Sequence, residues 1–108
     1  MLKSDNISIG KDFAKKIKSL YPKKSASEIA NILGLKIVFE KPVESNFIKR
    51  ISEFRPKIKE IAVFYKDYFN NALLHEIFHY LENENGVKLE KRISEREARE
   101  FVSAFNKE

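Results

Sequence analysis

The segment from Leu73 to Glu84, LLHEIFHYLENE, holds the only two histidines of the chain, His75 and His79. Residues four apart on a helix lie one turn apart, with their Cβ atoms about 5–6 Å from each other. The apolar residues of the segment recur at the spacing of an amphipathic helix, at Leu74, Ile77, Phe78 and Leu81. The pattern therefore predicts a helix that packs on a core and presents two imidazoles side by side.

Two imidazoles in this arrangement can hold one metal ion. Zinc accepts imidazole nitrogens in a tetrahedral shell, and a catalytic zinc usually has three protein ligands. Glu76 is turned about 100° around the helix from His75. It is therefore not placed to coordinate the same ion directly, but it can reach a water bound to that ion. The H-E-x-x-H pattern thus predicts His75 and His79 as zinc ligands and Glu76 as a general base.

The third ligand must be a carboxylate, because the chain has no cysteine and no further histidine. A last helix is predicted from about Ser94, in SEREAREFVSAF, with its apolar face at Ala98, Phe101, Val102 and Phe105. At about 100° per residue, Glu95 lies about 70° from the centre of that face and Glu97 about 90° away on the other side. Glu95 is therefore the first choice for the third ligand and Glu97 the second.

The chemistry expected of this site is hydrolysis of a peptide bond by a zinc-bound water that gives its proton to Glu76. The strand KEIAVFY, just upstream of the histidine helix, is expected to be the edge along which an extended substrate pairs. Tyr65, Tyr68 and Tyr80 are candidates for an oxyanion donor or substrate contact, and the sequence does not rank them. The alternative role for each tyrosine is to pack against neighbouring side chains in the core.

The chain of 108 residues predicts one α+β domain, residues 1–108, in the order ααβββαα. Two helices come first, from Lys11 to Tyr21 and after a capping box at Ser25 and Glu28 that leads to Gly34. Three short strands follow, in Leu35 to Glu40, Phe47 to Phe54 and Lys57 to Tyr65. Asn70 and Asn71 are the expected caps of the histidine helix.

Composition limits the environment and the partners. The apolar runs are too short to span a membrane, and the first residues lack the apolar core of a signal peptide, so a cytoplasmic protein is expected. The net charge of +5 is spread as single lysines and doublets, which indicates a solvated surface rather than a nucleic-acid face. Abundant Lys, Glu and Ile without Cys or Gln is the bias of thermophile proteins.

Other interpretations of the same residues stay open at this point. The two histidines can be ordinary residues of an amphipathic helix, Glu95 can be a solvated charge near a helix N-terminus, and a zinc ion can serve stability alone. An alternative of another class is a non-enzymatic regulatory or interaction module that binds a protein partner or nucleic acid through its basic surface.

HEIFHYLEN followed by EREAREF resembles the gluzincin zinc metallopeptidases, in which an HExxH helix is followed by a glutamate helix that supplies the third ligand. The order of elements also resembles the ImmA/IrrE-type metallopeptidase domain, whose third ligand is the Glu three residues before an Ala, here Glu95 before Ala98. In size and composition the chain is most similar to the minigluzincins, small soluble peptidases of thermophilic prokaryotes. The resemblance implies a minimal zincin-like metallopeptidase domain.

Resemblance to the minigluzincins also implies a zymogen. In such a latent form the C-terminal segment AREFVSAFNKE covers the cleft, either within one molecule or by exchange in a homodimer. Phe101 and Phe105 would then fill the cleft or the dimer interface instead of the hydrophobic core of their own chain.

Overall fold

Four helices and three short strands make up residues 9–42 and 50–107, the part of the chain that a computed structural model describes. The helices are α1 (Ile9–Leu20), α2 (Ala26–Ile32), α3 (Phe69–Glu84) and α4 (Lys91–Asn106), and the strands are β1 (Lys36–Phe39), β2 (Ser52–Arg55) and β3 (Glu60–Val63). Single 3-10 turns at Pro56–Ile58 and Lys66–Tyr68 precede β3 and α3. The α+β class and the order ααβββαα are confirmed.

The strands form one mixed sheet in the order β1-β3-β2. β3 pairs in parallel with β1 and antiparallel with β2, and its residues Ile61, Ala62 and Val63 are buried. The expectation that KEIAVFY is the edge for substrate pairing is therefore wrong, because both sides of this strand are already hydrogen-bonded. Within the described residues, β2 pairs on one side only.

Helix α2 begins and ends as the sequence predicts. The Ser25 hydroxyl accepts a hydrogen bond from the Glu28 N–H (3.2 Å), and the Glu28 carboxylate accepts one from the Ser25 N–H (2.8 Å). The hydrogen bond from the Ser25 backbone holds the pKa of Glu28 below its ordinary value. At the other end, Gly34 has a φ of 78°, which lets the Leu35 N–H reach the Ala30 carbonyl at 2.9 Å and directs the chain into β1.

The first helix runs from Ile9 to Leu20 and the third strand only from Glu60 to Val63, and three other elements differ further from the prediction. Helix α3 begins at Phe69 with no side-chain cap, so Asn70 and Asn71 lie in its first turn and are not its caps. Helix α4 begins at Lys91, and Ser94 is a buried residue inside its first turn. Of the strand predicted from residues 47 to 54, residues 47–49 lie outside the described part, and β2 begins at Ser52.

Helix α1 fixes the position of α4. Gly10 approaches α4 so closely that a Cβ atom placed on it would lie 2.2 Å from the backbone oxygen of Glu97. The Gly10 N–H donates to Glu97 Oε1 at 3.0 Å, which gives a free donor at the start of α1 a buried carboxylate partner. Helices α1 and α4 are therefore in direct backbone contact at Gly10.

The core lies between the sheet and the helices, and it includes part of the segment expected to cover the cleft. Phe101 is fully buried with its ring centroid 5.9 Å from that of Phe78, and the half-buried Phe105 packs 6.2 Å from Phe101. The expectation that Phe101 and Phe105 fill a cleft or a dimer interface is therefore wrong for Phe101, which belongs to the core cluster of this chain, whereas the partly buried Phe105 packs against that cluster.

Across residues 9–42 and 50–107, no helix combines the length and the apolar character needed to span a bilayer.

Candidate metal centre

Two imidazoles and one carboxylate meet where α3 crosses α4. His75 Nε2 lies 3.2 Å from His79 Nε2, and each of these atoms faces a different oxygen of Glu95, at 3.2 Å and 3.0 Å. The three side chains come from positions that the sequence selects, with both histidines on α3 and the glutamate on α4. They form a group whose ligand atoms all lie within 4.8 Å of one another.

The geometry of this group suits a small ion. Ligand atoms about 2.0–2.1 Å from a tetrahedral zinc lie about 3.3–3.4 Å from one another. The two Nε2 atoms lie 3.2 Å apart, and each lies 3.0–3.2 Å from the nearer of the two Glu95 oxygens, which is close to these values. Two imidazole nitrogens and a carboxylate oxygen are also a ligand set that zinc uses in hydrolases, with its fourth position left for water. The residues present therefore fit a zinc ion.

The second ring nitrogen of His79 has a partner that the sequence analysis missed. Glu82 Oε1 lies 2.7 Å from His79 Nδ1, and the Ser94 hydroxyl lies 2.8 Å from both oxygens of Glu82. Glu82 and Ser94 are only 8% and 9% exposed. In the tautomer that donates the Nδ1 proton to this carboxylate, the unprotonated Nε2 faces His75 and Glu95.

Sequence spacing carries a signal for this contact. Glu82 follows His79 by three residues, a spacing at which helical side chains are neighbours. Ser94 comes from the first turn of α4, and only the packing of the two helices shows that it reaches Glu82. A search for acidic residues three or four positions from each histidine would have found Glu82.

Glu76 occupies the position expected of a general base. It lies on α3 next to His75, is only 5% exposed, and lines the same cleft as the histidines. The Ser52 hydroxyl, from β2, donates to Glu76 Oε2 at 2.7 Å. One carboxylate oxygen is thus oriented by the neighbouring strand, and the residues that the structure describes make no hydrogen bond to the other.

The alternative third ligand points elsewhere. Glu97 is 1% exposed and accepts hydrogen bonds from the Gly10 N–H and from the side chain of Arg96, at 3.0 Å and 3.1 Å. Its carboxylate therefore serves the contact between α1 and α4. The structure places Glu95 with the histidines and Glu97 away from them, as the helical count favours.

The three candidate tyrosines are separated by the fold. Tyr80 is 8% exposed and packs edge-on against Phe54, 5.9 Å between centroids, in the core. Tyr68 lines the cleft, whereas Tyr65 and Tyr80 are not among the described residues that line it. Of the three, Tyr68 alone is placed to contact a bound substrate.

A cleft of about 1100 Å³ gives access to His75, His79 and Glu95. It runs along α3, where β2 contacts Glu76 and α4 contacts the two histidines. Ser52, Glu53 and Phe54 of β2 line it, together with residues of α4 and of the connection between the last two helices. As far as the chain is described, β2 is thus both an edge of the sheet and a wall of the cleft, and it takes the place of KEIAVFY as the edge next to the site.

A cluster of charges braces this edge strand. The Arg55 guanidinium donates two hydrogen bonds of 2.8 Å to the two oxygens of Glu40, one of 2.7 Å to Glu53 and one of 2.8 Å to Glu60. These hydrogen bonds hold the pKa of both Glu40 and Glu53 below the ordinary value of a glutamate, and they raise that of Arg55. The end of β2 is thereby tied to β3 and to the residue after β1.

Comparison of the chain with protein-family models, with curated proteins and with solved structures finds no significant match.

Proposed function

We propose that this protein is a zinc-dependent peptidase of the gluzincin type, with His75, His79 and Glu95 as metal ligands and Glu76 as general base. The observation that carries the proposal is the convergence of two imidazole nitrogens and one carboxylate at 3.0–3.2 Å, beside a buried glutamate in an open cleft. A helix that merely contains histidines has no need to bring a carboxylate from a second helix to both of them.

Zinc, when bound, supplies a Lewis acid that polarises a peptide carbonyl and acidifies a water molecule. The protein's own part is proton transfer and positioning. Glu76 takes a proton from the attacking water and then delivers it to the leaving amine, a task for which one oxygen must stay available. The Ser52 hydroxyl occupies the other oxygen and limits rotation of the carboxylate.

An extended peptide is the substrate that the surroundings of the site fit. The edge strand β2 offers backbone hydrogen-bonding groups next to Glu76, along which a peptide can add as a further strand. Tyr68, at the cleft, is the tyrosine we assign to substrate or oxyanion contact. Binding by strand addition selects an unfolded or loop segment of a protein over a folded surface.

A latent form, closed by the C-terminal segment within one molecule or in a homodimer, stays a prediction from the resemblance. Arg99, Val102 and Ser103 of α4 line the cleft. This part of the segment therefore borders the cleft.

The proposal is tested by zinc-loaded wild type, Glu76→Gln and Glu84→Gln on a mixture of internally quenched peptides. Glu84 is an exposed glutamate near the end of the same helix and serves as the matched control. We expect cleavage by the wild type and by Glu84→Gln, and a loss of at least about a hundredfold in Glu76→Gln with zinc retained. Equal cleavage by Glu76→Gln contradicts the proposal. Salt-dependent DNA binding that Glu76→Gln leaves intact, without cleavage by any form, indicates the non-enzymatic module instead.

A further inference from the structure

The cleft is lined by four cationic side chains as well as by the metal centre. Arg50 forms an ion pair with Glu53 at 2.7 Å. The other three, Lys88, Lys91 and Arg99, make no ion pair within residues 9–42 and 50–107. Their charges are therefore available to a bound molecule.

Two of these cations flank the third metal ligand along α4. Lys91 precedes Glu95 by four residues and Arg99 follows it by four, so the three side chains lie on one face of the helix, one turn apart. All three line the cleft. A substrate at the metal centre thus has a positive charge about one helical turn away on either side.

The carboxylates of the cleft do not cancel these charges. Glu53 is bound to Arg50 and Arg55, and Glu82 accepts the hydrogen bonds of Ser94 and His79. Glu76 and Glu95 both face the site of a divalent cation, whose own charge dominates its surroundings. The part of the cleft beyond the metal centre therefore attracts negative charge.

An extended peptide advances about 3.3 Å per residue, and a helical turn rises about 5.4 Å. A side chain within two residues of the scissile bond can consequently reach a cation one turn from Glu95. Arg99 presents a planar guanidinium that pairs with a carboxylate through two parallel hydrogen bonds, which a lysine cannot do. Ala72 and Val102 line the same cleft and provide apolar contact for the stem of such a side chain.

We propose that the site prefers peptides with a Glu or Asp side chain within two residues of the scissile bond, and that Arg99 is the specificity-determining residue. This inference rests on the proposed peptidase function and names its substrate class. A nucleic acid is the poorer fit, because the cations of the cleft that make no ion pair in the described part of the chain are confined to residues 88–99, and a continuous phosphate chain would extend past them.

The test measures binding and cleavage separately. Fluorescently labelled hexapeptides that differ only in Glu, Gln or Lys at one of their central positions are titrated, at low salt, with zinc-loaded Glu76→Gln protein. Arg99→Gln is introduced into this background, with Arg92→Gln as its control. Arg92 is an exposed arginine of α4 that is not among the residues lining the cleft. The same peptides, internally quenched, are offered to the enzyme with Glu76 intact.

We expect the Glu peptide to bind about fivefold more tightly than the Gln peptide at one or more positions. Arg99→Gln should abolish this preference, Arg92→Gln should keep it, and Arg99→Glu should shift the preference to the Lys peptide. Equal binding of Glu and Gln peptides, or a preference that survives Arg99→Gln, overturns the inference. So does an oligonucleotide that binds in the cleft more tightly than the Glu peptide.

Failure of this inference differs from failure of the proposed function. Equal cleavage of Glu and Gln peptides by the protein with Glu76 intact would overturn the preference and leave the peptidase standing. A Glu preference in binding that depends on Arg99, without cleavage of any peptide, would support the substrate class and contradict the peptidase.

Discussion

Glu82 holds the Nδ1 side of the His79 ring at 2.7 Å while Glu95 faces its Nε2 side at 3.0 Å. One imidazole thus lies between two carboxylates, and only one of its nitrogens carries a proton in the neutral ring. In the tautomer that suits a metal ligand, the proton lies on the side of Glu82, which Ser94 anchors. The unprotonated Nε2 then points at a carboxylate oxygen, an arrangement that a cation between the two atoms stabilises.

Glu82→Gln should weaken zinc binding about 10- to 100-fold, because the amide holds the His79 ring less strongly in this tautomer and orientation. Competition with a chromophoric chelator measures the zinc affinity. Glu84→Gln, an exposed change two residues away, should leave it unchanged. Unaltered zinc affinity in Glu82→Gln would show that the contact does not support the metal centre.

Ser52→Ala should lower kcat about tenfold without changing zinc content, because one oxygen of Glu76 loses its 2.7 Å donor and the carboxylate gains rotational freedom. Ser52→Thr keeps the hydroxyl and suits a strand, so it should recover most of the rate. Steady-state kinetics with a cleaved peptide decide the matter. The same kcat in Ser52→Ala and wild type would argue against a positioning role for Ser52.

Gly10→Ala should destabilise the fold by about 1–3 kcal/mol, because the new Cβ would lie 2.2 Å from the backbone oxygen of Glu97 and force α1 away from α4. Urea denaturation gives the free energy of unfolding. Lys15→Ala, on the exposed side of α1, should stay within about 0.5 kcal/mol of wild type. Equal stability of Gly10→Ala and wild type would mean that the helices are not packed this closely.

The prediction for Arg55 concerns acid stability. Its hydrogen bonds lower the folded-state pKa of Glu40 and Glu53, so their contribution to stability is complete above the ordinary value of 4.5 and is lost as the pH falls through the lowered values. Arg55→Gln should therefore be less stable than wild type at neutral pH, and the difference should shrink below pH 4.5. Urea denaturation at a series of pH values measures it. A difference that grows towards acid would contradict the assignment.

Local patterns accounted for the parts of the site that lie on single helices. The four-residue spacing of His75 and His79 and the angular position of Glu95 are properties of helical geometry, and they need no knowledge of neighbouring elements. The capping box of Ser25 and Glu28 is equally local, and the structure reproduces it. The side chains expected to share a metal are the ones that the structure brings together.

What the sequence could not supply depends on contacts between elements. Strand order decides that β2 and not KEIAVFY is the edge, and this order depends on which strands pair with one another. The sequence of an amphipathic helix does not show which part of the protein covers its apolar face. Phe101 was therefore compatible with a cleft and with a core, and its contact with Phe78 of α3 places it in the core. Ser94 and Ser52 reach their glutamates only through such packing.

The most direct test of the central claim is the zinc content of wild type, His79→Ala, Glu95→Gln and Glu97→Gln, measured by mass spectrometry after purification and exposure to zinc. Glu95 and Glu97 are two glutamates of one helix, and only the first faces the histidines. The account predicts about one zinc per chain in wild type and in Glu97→Gln, and loss of most of it in the other two. Wild type that holds no zinc, or Glu95→Gln that holds as much as wild type, would contradict it.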